Sequence, residues 1–267
     1  MAKAKKKKEK VVYEPINGII GEVIDYHVYQ MTLSDHIVAA LIGFAASAVV
    51  IYVFFRSIPF IFPVGIFLAV KAQPIYQEYK RKKRQKELLL QFKDLLESLA
   101  ASYSAGQNTI AAFKDAESDM ISIYGDTSDI VAEIRAISIG IQNNYIIEEL
   151  LENFAQRSGL EDIESFANVF EVSNRMGSDL KRVISDSREI INDKIEIEME
   201  IETMLSSNKN DLNIMMLMPL VIVMSMSSLG TMTIASNTPL NVIIKIVCIV
   251  MFGAAYAIGM KIVDIKI

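Results

Sequence analysis

Few residues in this chain are equipped for chemistry. Two histidines, His27 and His36, and one cysteine, Cys248, are its only imidazole and thiol groups. Both histidines lie before, or at the edge of, the first apolar run. Cys248 has no partner for an internal disulfide and sits in an apolar run, where the expected role is that of a small apolar residue in a buried helix. There is no G-x-x-x-x-G-K-[ST] loop for nucleotide hydrolysis, and no H-E-x-x-H, C-x-x-C or G-x-S-x-G motif. Carboxylates are plentiful. Between Glu87 and Asp211 there are 25 acidic and 10 basic side chains, a net charge of −15. Such groups can bind a divalent cation or act as acid and base, but the commoner origin of this pattern is a solvated acidic face on helices. The expectation is a protein with no catalytic residues, no cofactor and no metal.

The elements that carry these residues are of two kinds. The chain is 267 residues long, 52% hydrophobic and 22% charged, with a mean hydropathy of +0.31. Apolar and charged residues are therefore segregated along it, as in membrane segments attached to a polar domain. The net charge of −5 argues against a nucleic-acid partner, since such proteins carry a basic surplus. Four runs read as transmembrane helices: His36–Phe55; Ser57–Val70, extended past Lys71 to Tyr76; Leu212–Ser236; and Leu240–Met260. The first, as a helix, spans ~30 Å, the hydrocarbon thickness. Turns are expected at Arg56–Pro59 and Asn237–Pro239. Lys245, inside the fourth run, reads as a side chain that snorkels to the interface.

Lysine and arginine set the orientation. Lys3, Lys5, Lys6, Lys7, Lys8 and Lys10 precede the first run, Lys80, Arg81, Lys82, Lys83, Arg84 and Lys86 follow the second, and Lys261 and Lys266 follow the fourth. By the positive-inside rule both termini and the middle of the chain are cytoplasmic, with the basic block resting on anionic lipid headgroups. The expected organisation is a basic segment 1–35, transmembrane helices over 36–76, a cytoplasmic helical bundle over 77–211, transmembrane helices over 212–260 and a tail 261–267.

The middle reads as all-α, a six-helix bundle. Leu88, Leu89, Phe92, Leu95, Leu96, Leu99 and Tyr103 recur at spacings of three and four up to Gly106, a helix-ending residue. Further helices are expected from Asn108 or Thr109 to Gly125, from Asp126–Ser128 onward, from Asn143 to Gly159, from Leu160 to Gly177, and from Ser178 or Asp179. One stretch, "KIEIEMEIETM" at Lys194–Met204, alternates with the period of a strand. A lone strand would have no partner, so a helix is expected here too. Ile191, Ile195 and Met199 would then share one side, and Ile197, Ile201, Met204 and Leu205 another, the second side suited to a further subunit.

Several of these residues also form a pattern. The basic block ending at Arg84, then Gln91, Asp94, Leu95 and Ala105–Gly106, resembles the first cytoplasmic helix of the type II secretion F family, and in particular the single-domain platform proteins of Tad-type pili. Ala112, Glu133 and Gly140 match the small residue, glutamate and turn glycine that follow. "ELLENFAQRSGLEDIESF" is similar to the family's A-L-x-x-L-A-x-R helix and carries over Arg157, Asp162, Ile163 and Phe166. "RMGSDLKRVISDSREI" matches Gly177, Leu180 and Arg188, with Ser178 in place of a second glycine, and Pro219 fits the third apolar run. The resemblance covers roughly Gln73 to Ile267.

It implies a non-enzymatic platform in the cytoplasmic (inner) membrane for pilus assembly or type II-like secretion. Its partners would be a hexameric secretion ATPase, pilin subunits, membrane lipids, and a paralogous platform protein or a second copy of itself. Two other classes compete. A membrane sensor or signalling scaffold predicts a ligand pocket or coiled-coil heptads, and sustained heptads are absent. A small transporter needs polar groups in its spans, where His36, Lys245 and a few Ser, Thr and Asn residues qualify.

Overall fold

The computed structural model describes residues 15–21, 23–55, 61–176, 179–228 and 239–263. Its helices are α1 (Leu33–Phe55), α2 (Ile61–Ser104), α3 (Thr109–Tyr124), α4 (Asp129–Gln142), α5 (Ile147–Ser158), α6 (Glu161–Met176), α7 (Leu180–Ser228) and α8 (Pro239–Val263), and the described residues contain no strand. The expected turns at Arg56–Pro59 and Asn237–Pro239, and the helix-ending Gly177, fall wholly or mostly outside the described residues.

The chain divides into two compact units. One comprises 1–29 and 80–192, the other 30–79 and 193–267. In the first, α2 lays a stripe of Leu88, Phe92, Leu95, Leu96 and Leu99 into the core, all but fully buried. The stripe works because residues three and four apart share one helix face. Across from it, Phe92 meets Phe154 of α5 and Phe166 of α6, with ring centroids 6.0 and 5.4 Å apart, and Phe166 meets Phe170 at 5.7 Å. Tilted and edge-on rings at these separations add stabilisation beyond their buried area. Helix α3 neighbours α4, α4 neighbours α5 and α5 neighbours α6.

Local chemistry places the helix ends. The Asn108 side chain accepts from the Ala111 N–H at 2.9 Å, capping α3. Gly106, after α2, has φ +78°, the left-handed conformation that glycine adopts without steric cost. The segment expected to start α5 at Asn143 instead turns, with Asn144 at φ 63°, and α5 begins four residues later. Gly140 is not in a turn. It lies inside α4, where a Cβ would come 2.5 Å from Leu150 Cδ1, so its role is to let α4 and α5 approach closely.

In the second unit, Asp35 reaches back to Thr32 at the start of α1. The Thr32 N–H and Oγ1 both donate to Asp35 Oδ2, at 3.1 and 2.6 Å, the back-reaching half of a capping box. A Cβ at Gly43 would meet the Ala69 Cα at 2.9 Å, and one at Gly65 the Phe44 ring at 2.6 Å, so α1 and α2 approach through small residues. A Cβ at Gly259 would meet Leu212 at 2.6 Å, bringing α8 to α7.

Two helices cross the expected domain limits, and one expectation is corrected here. The second apolar run and the first bundle helix form one continuous helix, α2, with Pro74 inside it. The period-two stretch leads straight into the third apolar run: α7 joins the last bundle helix, that stretch and the run, with Pro219 inside. More consequentially, the four transmembrane helices expected at 36–55, 57–76, 212–236 and 240–260 are not carried by the structure: among the described residues no helix is long and apolar enough to cross a membrane. A span needs about 20 consecutive apolar residues. In α2 the apolar start is followed by Lys71, and in α8 charges stand at Lys245 and Lys261.

Candidate functional site

The most distinctive chemistry of the first unit is a buried ion pair. Glu133 on α4 and Arg157 in the last turn of α5 stand 24 residues apart, and their side chains are 1% and 3% exposed. Arg157 Nη1 donates to Glu133 Oε1 at 2.8 Å and Nη2 donates to Oε2 at 2.6 Å, the two-pronged geometry in which a guanidinium best matches a carboxylate. The remaining donors are engaged as well. Nη1 also donates to the Ile24 carbonyl at 3.0 Å, and Nε donates to Asn153 Oδ1 at 2.8 Å. Tyr26 completes the cluster. Its hydroxyl donates to Glu133 Oε1 at 3.0 Å and its N–H donates to the Arg157 carbonyl at 2.9 Å.

Burial is the largest influence on the titration of Glu133 and of Tyr26. It pushes the Glu133 carboxyl above the usual carboxylate range, while hydrogen bonding and charge from Arg157 pull the other way. It also pushes the Tyr26 phenol well above its ordinary value, and the neighbouring Glu133 charge adds to the effect.

A second, shallower pair lies beside the first. Arg84 Nε and Nη2 donate to Asp129 Oδ2 and Oδ1 at 2.7 and 2.5 Å, and the Arg84 guanidinium stands 5.3 Å from the centre of the Tyr26 ring. Hydrogen bonding to Asp129 raises the Arg84 pKa, keeping it charged. Further along α2, Gln91 Oε1 accepts from the Ile130 N–H at 3.3 Å, and Asp94 accepts from the Tyr124 hydroxyl. Burial, then the hydrogen bond to Asp94, pushes the Tyr124 phenol up to about 12. Gln85 donates to the Ser158 carbonyl at 3.0 Å. Along α2 these side chains thus hold, in turn, the start of α4, the end of α5, the start of α4 again and the end of α3.

The residues singled out in sequence divide cleanly. Arg84, Gln91, Asp94, Glu133 and Arg157 all make contacts between elements of the first unit. Gly106 ends α2, and Asp162 stands in the first turn of α6, where a carboxylate interacts favourably with the helix dipole. Gly177 lies outside the described residues. Ile197, Ile201 and Met204 are in the second unit, on α7; Ile197 and Met204 are more than half exposed and Ile201 is half-buried. Cys248, expected to be buried, is exposed.

Sequence reasoning missed Tyr26, Ile24, Asn153 and Asp129. The signal for the first two was the apolar spacing of "INGIIGEVIDYHVY" in a segment read only as a basic tail. Beside Arg157, a cavity of about 10 Å³ is lined by Ile19, Ile20, Val23, Ala136, Ile137, Leu150 and Asn153, room for about one water molecule and none for a substrate. Among the described residues, no group of three His, Cys, Asp or Glu is placed to hold a metal ion. The arrangement clamps helices together. No protein-family model, curated protein or solved structure matches this chain.

Proposed function

We propose that this protein is a non-enzymatic assembly platform for a Tad or type IV-like pilus, or a type II-like secretion system, located at the cytoplasmic membrane. Its first compact unit, residues 80–192 with the segment before residue 30, docks a hexameric secretion ATPase and passes that enzyme's movement toward pilin subunits. The single observation that carries the reading is how the resemblance residues are used. Arg84, Gln91, Asp94, Glu133 and Arg157 come from three helices, and each ties its helix to another element. A pattern whose charged members brace a helical body fits a protein that transmits force better than one that turns over a substrate, because a bracing contact must not open during use.

Two features of the second unit support the same reading. Leu41, Ile66, Phe67, Met215 and Met251 are each more than half exposed, an apolar surface larger than scattered single residues and one that asks for an apolar environment. On α7, Ile197, Ile201 and Met204 form the side that, in this reading, meets a paralogous platform protein or a second copy.

Co-purification tests the proposal. Tagged full-length chain, extracted in mild detergent, should retain a P-loop secretion ATPase from the same cell through washing and gel filtration. Recovery of the chain with no such ATPase, at protein concentrations in the micromolar range, would count against it.

A further inference from the structure

We propose that residues 15–29 form a separable strap that closes over the Arg157–Glu133 pair, and that this pair is the strap's receptor. The segment contains no helix or strand among its described residues, yet it holds its own shape. The Asp25 carboxylate accepts from the Ile16 N–H and from the His27 N–H, both at 2.9 Å, so the backbone at both ends of the segment is drawn to one side chain. A segment tied to itself in this way moves as a body.

Its hold on the helices is narrow. Tyr26, 3% exposed, is the one fully buried side chain among the described strap residues, while Ile19, Ile24 and Val28 each leave about two fifths of their surface in solvent. The interface beneath Ile19, Ile20 and Val23 leaves the small cavity beside Arg157. The strap's attachments include the Tyr26 hydroxyl on Glu133, the Tyr26 N–H on the Arg157 carbonyl, the Ile24 carbonyl on Arg157 Nη1, the Asn17 carbonyl accepting from Asn153 Nδ2 at 3.1 Å, and the Arg84 guanidinium against the Tyr26 ring.

The receptor is built for a cover that comes and goes. An apolar floor would hold the helices as well as an ion pair does, but it would be left bare in water whenever the strap lifted. Arg157 and Glu133 can instead exchange the strap's carbonyl and hydroxyl for water while keeping their bond to each other. Lifting the strap exposes Tyr26 and the charged pair, which water accepts, and with them the apolar contacts of Ile19, Ile20 and Val23 with Ile137 and Leu150.

Amide hydrogen exchange on the full-length chain tests it, because the Tyr26 N–H is bonded to Arg157 and cannot exchange until the strap opens. The expected result is exchange at Tyr26 at least tenfold faster than at the amides of Glu133 and Phe154. Tyr26→Phe should speed strap exchange by roughly another tenfold, the effect of one lost hydrogen bond to a charged group, and speed the amides of α4 and α5 by no more than that, since full unfolding breaks the same bond. A single shared rate for Tyr26, Glu133 and Phe154 in the unsubstituted chain overturns the proposal, since the segment then opens only when the unit unfolds. An unchanged rate at position 26 in Tyr26→Phe overturns it too. If that variant does not fold, the comparison within the unsubstituted chain decides alone.

Discussion

Arg157 and Arg84 make similar bonds in different surroundings, and the difference in burial sets what each is worth. Removing one partner of a buried pair strands the other charge, so Arg157→Ala should cost about 3–5 kcal/mol in the first unit's stability. The Arg84 and Asp129 side chains are 27% and 24% exposed, and water compensates the loss, so Arg84→Ala should cost no more than about 1 kcal/mol. Urea titrations followed through the exchange of α4 and α5 amides measure both. Equal costs would show that burial of the pair is not what matters. Replacing both partners together, Arg157→Met with Glu133→Leu, should recover most of the loss, because the stranded charge is gone. Tyr26 gives a pH signature at the same scale. Its folded pKa is raised, so the stability it contributes is complete below the ordinary phenol value near 10 and is lost as pH rises above it. Between about pH 9 and 11.5 the unsubstituted chain should therefore lose stability more steeply than Tyr26→Phe. Phenolate absorbance and denaturant midpoints across that range check the sign, and a steeper loss in the variant would contradict it.

Among the helices, close approach outweighs propensity. Alanine favours a helix over glycine by ~1 kcal/mol, yet Gly140→Ala should destabilise α4 against α5 because Leu150 must move from 2.5 Å. Gly106→Ala meets no atom within 4 Å, and its cost should be the ~1–2 kcal/mol of holding alanine at positive φ. A stabilising Gly140→Ala, read as a higher denaturant midpoint, would mean that the two helices have room to spare. Helix α7 carries the prediction about assembly. In the proposed function Ile197, Ile201 and Met204 face another subunit, so Ile201→Glu should lower the particle mass by light scattering in detergent. Exchange protection in α3 to α6 should not change. Loss of protection there would place Ile201 in a core and end the interface reading.

For the molecule as a whole, the exposed apolar side chains of α1, α2, α7 and α8 decide solution behaviour. Surfaces of this kind on soluble monomers seldom exceed a few hundred Å². The full chain should therefore float with lipid vesicles in a density gradient. It should do so more completely with anionic lipid, because the cluster Lys80, Arg81, Lys82, Lys83, Arg84 and Lys86 lies in one helix with the apolar start of α2. A chain that stays monodisperse at the bottom of the gradient without detergent would rule out the membrane location.

Helix type, and the limits of α3, α4 and α6, were legible from spacing and caps, because a helix face and its ends depend on residues within one or two turns. The stripe of Leu88, Phe92, Leu95 and Leu99 and the cap at Asn108 are of this kind. So was the helical state of Lys194–Met204, where the lack of any strand partner outweighed a period of two. Continuity was partly legible. The expected domain limit between 76 and 77 is no break: α2 runs through Pro74 and the charged block at Lys80, since a proline removes one hydrogen bond and the helix can carry it. The apolar runs read as membrane spans from their length without a charge, whereas among the described residues no helix is long and apolar enough to cross a membrane. The site was half legible. Glu133 and Arg157 stood out in sequence, but nothing local says that two residues 24 apart should meet, or that Tyr26 and Ile24 should cover them. Only the tertiary structure decided that, because a buried charge must find its partner wherever the fold brings one, at any distance along the chain.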